Sequence, residues 1–114
     1  MKVIFISAPY SSVSATQRED ITRAVEATAL LLWENGIATL APHLNSGGFS
    51  NHRPVDPSSY RKGYVELARR CDAILTLFVS TKATGVQAEV AAVRDTGGPV
   101  FKDVKAVLKW AKDR

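Results

Sequence analysis

The run "KVIFIS" (Lys2–Ser7) is rich in β-forming residues and shows no polar–apolar alternation, and "AILTLFV" (Ala73–Val79) is more apolar still. A strand of that kind must be covered on both faces, which calls for helices above and below it. "IATLAP" (Ile37–Pro42) reads as a further short strand and "PVF" (Pro99–Phe101) as a fourth. Stretches of helical period follow each of them. The first places Ile21, Val25, Thr28 and Leu32 on one face, with Ala24 and Leu31 beside them. Thr16 and Glu19 fit a capping box at its start and Gly36 a stop at its end. The second opens on Asp56 as N-cap and Pro57 at the first helical position, and turns Tyr60, Tyr64, Leu67, Ala68 and Cys71 to one side. "TGVQAEVAAVRDTGG" is a third helix. "DVKAVLKWAKDR" is the last, with Val104, Val107, Leu108 and Ala111 inward. The order β-α-β-α-β-α-β-α predicts an α/β fold with a mostly parallel sheet between two helical layers. The polar, glycine-rich "HLNSGGFSNHRPV" (His43–Val55) reads as a long loop.

At 114 residues the chain makes one domain, 1–114. The net charge of +4 is spread out, with its densest part in Lys102, Lys105, Lys109, Lys112 and Arg114. No zinc-finger spacing, RNA-binding aromatic motif or basic zipper accompanies it, so a nucleic-acid polymer is not an expected partner. Such a charge still favours a phosphorylated small substrate. The single cysteine, Cys71, excludes an internal disulfide framework and reads as core, in keeping with a cytoplasmic setting. The N-terminal apolar run is too short for a signal sequence or a membrane span, so no membrane partner is expected.

In open α/β sheets, ligands bind outside the carboxyl ends of the strands. Ser7, Ala8, Pro9, Tyr10 and Ser11 arrive there after the first strand, Pro42, His43, Leu44 and Asn45 after the second, and Ser80, Thr81, Thr84 and Gly85 after the third. Glu89 is the sharpest candidate. Its neighbours Val86, Val90 and Val93 are apolar, which turns the carboxyl toward the inward face. Near a helix N-terminus the dipole should keep it ionised and reactive, as a nucleophile or base. The alternative is a surface glutamate that borders the core. Ser80, Thr81, Thr84 and Gly85, or Ser7, Ser11, Ser12, Ser14 and Arg18, have the donors to hold a phosphate, although such residues also cap helices and build loops. No Walker motif or G-x-G-x-x-G is present, so neither ATP nor a dinucleotide cofactor is expected. Tyr10 suits stacking on a base or plugging the core. His43, His52 and Asp56 lack tight metal-ligand spacing, and no metal is expected. Asp72 precedes the third strand, at the end of the sheet away from these loops, and reads as a turn residue.

"FISAPYSS", "APHLNS", "RRCDAILTLF" and "TGVQAEVAAVRDTGGPVF" together resemble the nucleoside 2-deoxyribosyltransferase-like superfamily, in particular its short bacterial and phage members. The likeness runs from roughly Lys2 to Phe101, in the same order. It implies a flavodoxin-like or Rossmann-like three-layer sandwich with a four- to five-stranded sheet, assembled as a homodimer or higher oligomer. It also implies deoxyribosyltransferase or nucleoside 5'-monophosphate N-glycosidase chemistry without a cofactor. The family's G-V-x-x-E maps to Gly85, Val86 and Glu89, and that glutamate attacks the anomeric carbon in the characterised enzymes. The early family stretch maps to Phe5 through Pro9, with Phe5 in place of the usual tyrosine. By the same resemblance, this segment and Tyr10 line the sugar and base pocket, and Ser11, Ser12 and Arg18 hold a 5'-phosphate. Two departures stand out. Ala83 occupies the place of a family serine, and the place of a helper aspartate falls at Tyr64. They suit either a divergent glycosidase or a noncatalytic nucleotide-binding module of the same fold.

Overall fold

A computed structural model describes residues 1–10, 13–78 and 84–113. The elements run β1 (Val3–Ser7), α1 (Ala15–Glu34), β2 (Ala38–Leu40), α2 (Pro42–Asn45), a 3-10 turn (Phe49–Asn51), α3 (Pro57–Arg69), β3 (Ala73–Thr76), α4 (Thr84–Asp95), β4 (Val100–Phe101) and α5 (Val104–Lys112). The four strands form one sheet in the order β2-β1-β3-β4, and every pairing is parallel. The architecture is the expected α/β sandwich.

The unalternated first strand divides its side chains between two cores. Ile4 and Ile6 point to one face, where they meet Val25, Leu32, Leu75 and Val107 of β3, α1 and α5. Phe5 points to the other, with Ile74, Tyr64, Ala68 and Val93 of β3, α3 and α4. Successive strand side chains alternate in direction, so an all-apolar strand needs a helical layer on each side.

Several local expectations shift. The cap of α1 is Ser14, not Thr16: its side chain accepts from the Gln17 amide while the Gln17 side chain accepts from the Ser14 amide. Two capping boxes overlap in this stretch, and the upstream one closes because Ser14 has the extended backbone an N-cap needs. Along α1, Ala29 is buried where Thr28 was expected, and Leu31 is exposed. Gly36, at φ 75°, ends the helix as expected. Asp56 and Pro57 open α3 as read, with the carboxylate accepting from the Ser58 amide. Leu67 faces out, since the buried stripe of α3 is Tyr64, Ala68 and then Cys71. The His43–Val55 segment is not a plain loop but holds α2 and the 3-10 turn. β3 ends at Thr76 rather than Val79, because Phe78 turns the chain at φ 56°, a left-handed conformation no strand continues through.

Candidate functional site

The strand order reverses direction at β1: β2 lies on one side of it and β3 on the other. Helices leaving neighbouring strands then go to opposite faces, and a crevice opens above the carboxyl ends of β1 and β3. A cavity of about 460 Å³ lies there. Ala8, Pro9 and Tyr10 enter it from β1, and Pro42, His43 and Ser46 from the end of β2 and α2. Tyr60, Arg61 and Tyr64 come from α3, and Thr84, Gly85, Val86 and Glu89 from α4. On α3 the cleft-facing positions 57, 60, 61 and 64 recur at helical spacing.

Glu89 is a half-buried charge-bearing group of this cleft, whereas Arg61 is exposed. Ser7 Oγ, wholly buried at the end of β1, donates to Glu89 Oε1 at 2.5 Å. Among the described residues, Oε2 has no hydrogen bond and no cation pairs with the carboxyl. Burial therefore pushes its pKa up to about 7, with the Ser7 hydrogen bond working against that rise. This corrects the expectation of a firmly ionised carboxylate. Glu89 stands in the second turn of α4, one turn beyond the free amides that carry the helix dipole, so desolvation wins.

Tyr10 is held from two sides. The Arg18 guanidinium lies 4.4 Å from the ring centroid and its Nε donates to the Tyr10 carbonyl at 3.1 Å. The His43 ring meets Tyr10 edge-on at 5.3 Å. A cation over one ring face and an aromatic edge beside it fix an exposed tyrosine in place. His43 is buried, and its Nε2–H donates to the Pro9 carbonyl at 3.0 Å. Desolvation lowers its pKa, the Pro9 contact raises it and the Arg18 charge lowers it further. His43 is thus a neutral wall residue.

The sequence candidates separate into three groups. Ala8, Pro9, Tyr10, His43, Thr84, Gly85 and Glu89 line the cleft directly, and Ser7 acts on it through Glu89. Arg18 and Asn45 do not line it. Arg18 is committed to Tyr10, and Asn45 donates its amide to the Tyr64 hydroxyl at 3.1 Å. Ser11, Ser12, Ser80 and Thr81 lie outside the described residues, as does Ala83. Sequence reasoning missed Ser46, Gly47, Ser50, Tyr60 and Arg61 as cleft residues, and reached Tyr64 only as a helix-face residue and, through the resemblance, as the place of the helper aspartate. Ser46 Oγ hydrogen-bonds the Tyr64 hydroxyl, which ties α2 to α3. Gly47 was the available signal: a Cβ there would collide with the His43 carbonyl oxygen, so the chain must turn tightly over α2.

Among the described residues, no three His, Cys, Asp or Glu side chains are grouped to hold a metal ion. No described helix is long and apolar enough to cross a membrane. No protein-family model matches the chain, and no curated protein matches it.

Proposed function

We propose that the protein cleaves or transfers the N-glycosidic bond of a nucleoside or nucleoside 5'-monophosphate, with Glu89 as nucleophile. The observation that carries this reading is a desolvated carboxyl without a cation partner among the described residues, oriented by Ser7 on the wall of a cleft at the switch point of a parallel sheet. Burying such a group costs free energy, and nothing in the described fold offsets it electrostatically. A sugar ring that develops positive charge as its base departs would supply the missing partner, in the transition state rather than the ground state. The bond from Glu89 Oε2 to C1' forms as the C1'–N bond breaks, and that electron pair leaves with the base. Water or a second base then displaces the carboxylate from C1'. In hydrolysis, the hydroxide part of water stays on the sugar and its proton balances the one taken by the base. Tyr10, clamped by Arg18 and His43, offers a ring for the base to stack on. Leu30 and Trp33, exposed one turn apart on the same face of α1, fit the self-association that the resemblance implies.

The test is release of free base from a panel of nucleosides and their 5'-monophosphates, comparing wild type with Glu89→Gln. Loss of the nucleophile should lower kcat by about 10³-fold or more, with the fold intact. Turnover that survives the substitution would assign the chemistry elsewhere. A noncatalytic nucleotide-binding role is the second reading. It is favoured by Tyr64, a phenol tied to Asn45 and Ser46 where the resemblance expects an acid. On that reading, Glu89→Gln binds nucleotide as tightly as wild type or more so, and neither form releases base.

A further inference from the structure

The wall of the cleft also includes the 3-10 turn and the first two turns of α3. Phe49 packs against Tyr60, with ring centroids 6.5 Å apart, and this contact fastens the turn to the helix. The residues next in sequence to that pair, Ser50 and Arg61, both line the cleft. Neither side chain makes a hydrogen bond or ion pair with a described residue. Arg61 does feel the exposed Asp56 carboxylate, whose own hydrogen-bond partner is Ser58. Arg18 is already committed to Tyr10.

We propose that Arg61 and Ser50 form an anion subsite that takes a phosphate ester of the ligand whose sugar lies at Glu89. The inference rests on the glycosidic reading for the position of the sugar, and on the cleft alone for the anion. A guanidinium offers paired N–H donors that match phosphate oxygens, and a hydroxyl adds one more. Placing the anion here, rather than at Glu89, also separates like charges. The subsite thereby selects phosphorylated over plain nucleosides.

The experiment measures dissociation constants by calorimetry, and base release in parallel. The ligands are a nucleoside, its 5'-monophosphate and its 3'-monophosphate. The proteins are wild type, Arg61→Gln, Arg61→Lys, Arg18→Gln and, as a control on the exposed face of α5, Lys105→Gln. Wild type should prefer one monophosphate over the nucleoside, and which one it prefers identifies the ester. Arg61→Gln should reduce that preference by about 10- to 100-fold, the usual weight of a hydrogen bond to a charged group. Arg61→Lys should recover part of it, and Lys105→Gln should leave it intact. Arg61 lies on the surface, so its variants should fold, and an unchanged thermal midpoint checks this. A preference that persists in Arg61→Gln but collapses in Arg18→Gln overturns the proposal, as does a wild type that shows no preference. Arg61-dependent nucleotide binding without base release would sustain the subsite while removing the glycosidic reading. Base release that ignores the phosphate would do the reverse.

Discussion

Two carboxyl groups sit at opposite ends of the same parallel sheet, and the fold treats them in opposite ways. Asp72, at the start of β3, is exposed and accepts from the Val3 amide at 2.8 Å, while its own amide donates to the Val3 carbonyl at 2.9 Å. Its charge has water and a backbone donor. Glu89, at the carboxyl end, has one buried hydroxyl as partner among the described residues and is lifted to a pKa of about 7. A carboxylate that serves only the fold has no need of a dry site. The contrast teaches that the cleft end carries an unfavourable electrostatic arrangement that the other end avoids, which is the usual mark of a functional site.

That contrast yields its largest effect in stability. The Glu89 pKa is raised from an ordinary 4.5 to about 7, so between those values the folded protein holds a proton that the unfolded chain releases. Its stabilising contribution is complete below pH 4.5, declines as pH rises, and is gone above about 7. Glu89→Gln removes this penalty. The variant should be more stable than wild type by up to about 3 kcal/mol at pH 8, and the gap should close on acidification toward pH 4.5. Urea unfolding of both proteins across that range checks it. His43 pulls the other way. Its pKa is lowered, so it costs stability as pH falls below 6.5, but it does so in both proteins and cancels in the difference. Equal stabilities at every pH would mean that the carboxyl is not dry.

Ser7→Ala sharpens the same point from the partner's side. Its hydroxyl is the one described group that favours the ionised carboxylate. Without it the Glu89 midpoint should move up by about 1 pH unit or more, and stability at pH 8 should fall by about 2 kcal/mol. If Glu89 acts as the ionised nucleophile, kcat/KM should rise with pH through its pKa. The alkaline plateau would then be reached at higher pH in the variant. Carboxyl carbon shifts followed by NMR give the midpoint without relying on turnover.

Much of this was legible along the chain, and the rest has physical reasons for being hidden. Strand–helix alternation and the unalternated "KVIFIS" required a parallel sheet with two helical layers. The apolar neighbours of Glu89 were enough to turn it inward. The cleft's outer wall was not legible, because Ser50, Tyr60 and Arg61 reach the cleft through packing of α3 on α4 and of Phe49 on Tyr60, none of it local in sequence. Arg18 misled for a related reason. A basic residue near a serine-rich loop looks free until Tyr10 folds under it. The sequence also carried two capping boxes and one helix start, and only backbone conformation at Ser14 decides between them.

At the other end of the sheet the expected effect is smallest and purely structural. Asp72→Ala deletes the acceptor of the Val3 amide but keeps the backbone bond from residue 72 to the Val3 carbonyl. The freed amide lies at the exposed start of β1, where water replaces the lost partner. The loss should be about 1 kcal/mol, or roughly 4 °C in Tm for a domain of this size. It should leave the preference among nucleoside ligands unaltered. Altered ligand selection would show that the two ends of the sheet are coupled. The opposition between a solvated carboxylate for the fold and a dry one for chemistry would then fail.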